Sequence, residues 1–240
     1  MNSTQSSELS NPRQVKSLIQ FLAVLIGILP LYSSLIIYQI RKDQPPSNQG
    51  FIFYLAVICP LTILIALLLL RFLCKESYRE LNLKPGTLFS DLLATLILSI
   101  VILVSSVTLQ YFLSQLLPAS TSNLNIRDLF IEMNSKPELL IIFTGPLVFM
   151  GAASEELIRV FLLSRLWKVW SSTIAKFAVV VISAFLFGLI HIYRGPIHVV
   201  WTCVFGLIMA FYYLRFGRVL PLILAHYVTN ALQVIVVALA

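Results

Sequence analysis

The chain has 240 residues, of which 59% are hydrophobic and only 11% charged, with a formal net charge of +7. A soluble domain carries about 25% charged residues, so a water-soluble globule is excluded. The surplus of bases does not point to nucleic acid, because Lys and Arg are scattered over short connections and form no basic face.

In chain order, residues 1–16 make a polar tail without the pattern of a removable signal. Two uncharged runs follow, Ser17 to Ile40 with 24 residues and Phe51 to Leu70 with 20. A bilayer core takes about 20 apolar residues of helix, and backbone in lipid must bond within its own segment. The runs therefore predict transmembrane helices, with spans over 17–40, 51–73, 92–116, 139–167, 173–192, 195–215 and 219–239. The expected fold is an all-α polytopic transmembrane bundle of seven spans, or eight if span four breaks at Gly145-Pro146. Cys59, Cys74 and Cys203 sit in or beside these runs, with neither the number nor the spacing of a disulfide framework or zinc ribbon.

Three units are expected after the tail. Residues 17–116 hold the first three spans, 117–138 form an extramembrane loop, and 139–240 carry every unusual intramembrane residue. Lys and Arg are denser in the tail and after spans two, four and six than after spans one, three and five. The denser side faces the cytoplasm, which places the N-terminus inside and the C-terminus outside.

Most acids lie in tails, loops or at span edges, whereas Glu155 and Glu156 interrupt span four after a long uncharged stretch. A charged side chain at mid-bilayer costs about 2.5–3.5 kcal/mol or more, so an adjacent pair requires compensation. Arg159 follows one turn on, within reach of Glu155 at i+4 and of Glu156 at i+3. A purely structural ion pair is the plain alternative, but buried pairs at best break even, and two carboxylates for one guanidinium exceed that need. Span five ends with Phe187 and His191 one turn apart. Span seven carries His226 and Asn230, again at i and i+4. Taken alone, His191 could equally be an interfacial residue beside Tyr193 and Arg194, and His198, near a span end after Gly195-Pro196, reads as a residue without a site role.

Glu155-Glu156-Leu157-Ile158-Arg159, Phe187 to His191 and His226 to Asn230, each on its own span, resemble the signature of the CAAX-prenyl endopeptidase and bacteriocin-processing (CPBP, Abi) family. The likeness covers roughly residues 140–235. Family members place three residues between the second Glu and the Arg, whereas this chain has two. The resemblance implies an intramembrane glutamate protease without metal or other cofactor, acting in the bilayer on a membrane-associated protein or peptide. It implies catalytic roles for Glu155, Glu156, His191, His226 and Asn230, with Arg159 and Phe187 in support. One glutamate and His191 would activate water, and His226 with Asn230 would donate to the oxyanion. Glu155 is the expected base, with Glu156 held by Arg159.

Other readings compete. Two Glu and two His could form a zinc peptidase, although no His-Glu-x-x-His helix is present. The same pocket could serve a non-catalytic immunity or partner protein, or a transporter's proton relay.

Overall fold

The computed structural model describes residues 12–40, 48–77, 86–116, 136–170, 172–192 and 195–239. Among these, every regular element is helical, and seven helices follow in order. They are α1 (Pro12–Ile40), α2 (48–73), α3 (Leu88–Leu116), α4 (Pro137–Val169), α5 (Thr173–Leu189), α6 (Pro196–Phe216) and α7 (Leu220–Leu239). Five contain segments long and apolar enough to cross a membrane, namely Gly50–Leu73, α3, α4, α6 and α7. The other two, α1 and α5, have shorter apolar stretches at Val15–Gly27 and Thr173–Leu189. The expected helical bundle is thus borne out, with each span shifted by a few residues. The tail before residue 12, the stretch 117–135 and the pair Tyr193 and Arg194 lie outside the described residues.

Span four does not break at Gly145-Pro146. Pro146 removes one backbone donor and crowds the preceding turn, and α4 absorbs this in a π turn, Phe143–Leu147, continuing as one helix. The helix α2 behaves alike, with π turns at Tyr54–Ile58, just before Pro60, and at Leu69–Leu73. Pro221 falls at the start of α7, where the missing N–H would have no partner in any case.

The bundle is built around α4, which packs against α1, α2, α5, α6 and α7. It is buried on all sides, from Gly151 and Ala152 through Val160 and Phe161 to Leu163. On one flank Phe161 joins Val24, Cys59 and Leu70 of α1 and α2. On the other, Val160 and Leu163 join Phe187, Phe205 and Leu222 of α5, α6 and α7. The outward faces are apolar too, with Leu96, Val107, Ile182 and Val236 exposed. Such faces suit lipid, where close packing rather than water exclusion holds helices together.

That packing relies on small residues. A Cβ on Gly188 of α5 would stand 2.1 Å from Cys203 Sγ and 2.8 Å from the Val199 carbonyl oxygen of α6. A Cβ on Gly206 of α6 would meet Ala184 Cα at 3.1 Å. Backbone contact at this range fixes where α5 ends relative to α6.

Ion pairs join the first three helices to the rest. Glu76, just past α2, pairs with Arg165 of α4, and both side chains are fully buried. Asp91 in the first turn of α3 accepts from Arg218 at 2.7 Å, and Ser90 Oγ lies 2.6 Å from the same nitrogen. Arg218 follows Gly217, which ends α6 in the left-handed region at φ 65°. The sequence assigns Arg165 to the bases flanking span four and Glu76 to the span edges, yet both lie inside the protein.

Candidate active site

Four helices supply the site. Glu155, Glu156 and Arg159 occupy about one turn of α4, directly after the small run Gly151-Ala152-Ala153-Ser154. His226 lies less than two turns into α7, and Phe205 comes from α6. Phe187 stands in the last turn of α5; there the chain leaves the helix through Ile190, and the His191 N–H bonds the Gly188 carbonyl at 3.0 Å.

Of the two pairings open to Arg159, the structure adopts the i+3 one. Nη1 of Arg159 lies 3.1 Å from both Oε1 and Oε2 of Glu156. The Glu156 side chain is completely buried. Its Oε1 is also 2.8 Å from His226 Nδ1. A carboxylate can only accept, so Nδ1 carries a proton, and in the neutral form of the ring Nε2 is the acceptor. That Nε2 lies 3.8 Å from Oε2 of Glu155, whose side chain is 15% exposed. At 3.8 Å the pair is beyond direct hydrogen-bonding distance, and this Glu155 oxygen is itself sealed from solvent.

Aromatic rings wall the charged cluster. The guanidinium carbon of Arg159 sits 3.9 Å above the centroid of Phe187 and 5.7 Å from that of Phe205. A cation over a ring face gains up to about 2 kcal/mol when desolvated, which offsets part of the cost of burying the guanidinium. Phe205 touches the His226 ring edge to face at 4.7 Å. One ring also links both histidines, since Phe187 lies 5.0 Å from His191 and 6.3 Å from His226. The Nδ1–H of His191 donates to the Phe187 carbonyl at 2.9 Å, which fixes the ring's tautomer.

Straight vertical helices would separate His191 and His226 by about 15 Å along the membrane normal. The structure removes this conflict because α5 has only 17 residues and ends where His191 can reach the Phe187 ring. Asn230 lies one turn beyond His226, half-buried. His198 is half-buried in the first turn of α6, and its carbonyl accepts from Thr202. Phe205 was not legible as a site residue, because an isolated aromatic in an apolar span carries no signal. The neighbourhood of Cys59 was equally hidden. This buried thiol on α2 lies within hydrogen-bonding reach of Ser154 and Tyr54 and within electrostatic reach of Glu155.

Residues 137–232 match the family model described as type II CAAX prenyl endopeptidase Rce1-like. The match runs from the start of α4 into α7 and includes each candidate site residue. With its apolar spans, the chain is an integral membrane protein, and the matched stretch is similar to a family of membrane proteases. More particularly, it is residues 137–232 that resemble the Rce1-like CAAX endopeptidases, the stretch in which the three motifs lie. No curated protein and no solved structure matches the chain.

Proposed function

We propose that the protein is an intramembrane endopeptidase of the glutamate type. It hydrolyses a peptide bond in a membrane-associated protein or peptide with water activated by Glu155. The observation carrying this reading is the asymmetric surroundings of the two glutamates. Glu156 is sealed from solvent and neutralised by Arg159, whereas Glu155 keeps partial exposure and lies near the unprotonated edge of His226. A base must meet water, and of the two glutamates only Glu155 has a partly exposed side chain.

Glu155 takes a proton as the water oxygen attacks the carbonyl carbon. Negative charge then develops on the former carbonyl oxygen, where Asn230 is a candidate donor. His226, held through Nδ1 by Glu156, receives the proton at Nε2 and delivers it to the departing amine. This makes His226 a proton carrier rather than the oxyanion donor that the family resemblance suggests, because both its ring nitrogens lie near glutamates. His191, fixed by its bond to the Phe187 carbonyl, polarises the incoming water. A bound metal dication at these carboxylates would be repelled by the Arg159 guanidinium, which favours direct acid–base chemistry over zinc.

The decisive experiment compares the membrane peptidome of cells carrying the native protein with that of cells carrying Glu155→Gln. Fragments that vanish in the variant identify substrates and can be resynthesised for assay with purified enzyme. Identical peptidomes, together with unchanged biology, would favour a non-catalytic partner role instead.

A further inference from the structure

Bases that the sequence scatters over short connections are gathered by the fold at one end of the bundle. Glu76, just past α2, is the hub there. Its side chain pairs with Arg165 and lies 3.9 Å from Lys168 Nζ, both on α4, and its carbonyl accepts from Arg71 of α2 at 3.4 Å. Lys16 of α1 lies within electrostatic reach of the neighbouring Cys74. Trp167 of α4 donates to the Lys176 carbonyl of α5 at 3.3 Å and stacks on Tyr213 of α6. Arg215 follows two residues on, and Arg218 closes on Asp91 in the first turn of α3. With Arg13 and Lys75, nine bases share this end with two acids, Glu76 and Asp91, among the described residues. Both acids are buried and paired. At the opposite end of α4 the described residues supply Lys136 and Glu138, one charge of each sign.

The outer surface of the basic end is therefore cationic, and apolar side chains stand directly beside its charges. Phe72 and Leu73 follow Arg71, Ile174 precedes Lys176, and Phe216 follows Arg215, with exposures from 51% to 84%. Trp170, 52% exposed at the end of α4, belongs to the residue type enriched at membrane interfaces. Cations set in an apolar rim match a phosphate headgroup above its acyl chains. A soluble acidic protein would instead leave that rim in water. Long Lys and Arg side chains reach headgroups while their stems lie along apolar surface.

We propose that this end of the bundle binds the anionic headgroups of phospholipids in the leaflet that it faces. Bases close to an anionic membrane surface each add to the attraction, and here the helix ends hold them in fixed positions around one rim. The binding also sets a depth. Glu155 lies ten residues before Arg165 on α4, about 15 Å along the axis, so headgroups clamped to this end fix how far below them the candidate site sits.

The test takes the full-length chain purified in detergent and offers it phosphatidylglycerol or phosphatidylcholine with identical acyl chains. Retained lipid is counted by native mass spectrometry, and the thermal midpoint is followed alongside. Phosphatidylglycerol should be retained roughly tenfold better or more and should raise the midpoint, as any ligand of the folded state does. High salt should weaken the effect. The triple variant Lys75→Gln, Lys176→Gln, Arg215→Gln leaves the buried ion pairs untouched. It should lower phosphatidylglycerol affinity by roughly 10–100-fold, with a lipid-free midpoint close to native, whereas Lys136→Gln should change neither. Equal retention of the two lipids by the native protein would overturn the proposal and leave the bases the task of orienting the chain at insertion. Undiminished phosphatidylglycerol binding by the triple variant would overturn it too. Inorganic phosphate that displaces the lipid at similar concentration would mark a free-phosphate site instead. Should the triple variant fail to fold, the lipid comparison on the native protein still decides.

Discussion

Exchanging each glutamate of the pair for glutamine separates their roles, and the structure sets the sizes of the effects. In Glu156→Gln the guanidinium of Arg159, with a side chain only 3% exposed, loses its counter-charge. Breaking a buried pair by neutralising one member costs about 3–5 kcal/mol. The Phe187 contact persists in native and variant proteins and does not offset this loss. For a domain of this size each kcal/mol moves the thermal midpoint by about 2–4 °C, giving a drop of roughly 6–20 °C. Glu155→Gln leaves the Arg159–Glu156 pair intact at a partly exposed position, so its stability cost is about 1 kcal/mol or less, an ordinary value for a point substitution. Its peptidase activity should nevertheless vanish. The assay is thermal unfolding in detergent beside cleavage of one peptide by both variants. An unstable Glu155→Gln with a stable, inactive Glu156→Gln would refute the assignment and make Glu156 the base.

Dialysis against a strong chelator should leave activity unchanged; loss restored by zinc alone would establish a metal enzyme. Reporters fused at the two ends of the chain should report opposite sides of the membrane, the N-terminal one cytoplasmic, and a shared side would contradict seven crossings. Gly188→Ala should cost about 1–3 kcal/mol through overpacking, since its Cβ would collide with Cys203 Sγ and the Val199 carbonyl. It should also lower turnover by displacing His191, whereas a neutral outcome would show that α5 and α6 can separate freely.

The sequence made the spans legible because charge is so costly in lipid that uncharged runs mark helices within a few residues. It also made the cluster legible, since Glu155, Glu156 and His226 break that same rule. The choice of i+3 over i+4 for Arg159 was not decidable from spacing, as both offsets reach. The guanidinium that takes the i+3 partner also stacks on Phe187, a residue from another helix that spacing along α4 does not reveal. Helix depth was hidden as well. Hydropathy measures the length of a run, whereas the register of α5 depends on Gly188 and Gly206 closing against α6. The pairs Glu76–Arg165 and Asp91–Arg218 join residues distant in sequence, and each member, taken singly, reads as an ordinary flanking charge.

Those two pairs bear on what can be separated from what. Residues 137–232 can be recognised alone, but Arg165 and Arg218 inside that stretch have their carboxylates outside it, at Glu76 and Asp91. A fragment beginning at residue 137 would place the fully buried Arg165 in an apolar setting with no counter-charge, and would leave the turn before α7 unfastened. Supplying the first three helices as a separate polypeptide should therefore rescue such a fragment, and rescue should fail when Glu76 is replaced by Gln. The portion without motifs would then act as an obligate folding partner encoded in the same chain, with recognition and autonomy drawn along different boundaries.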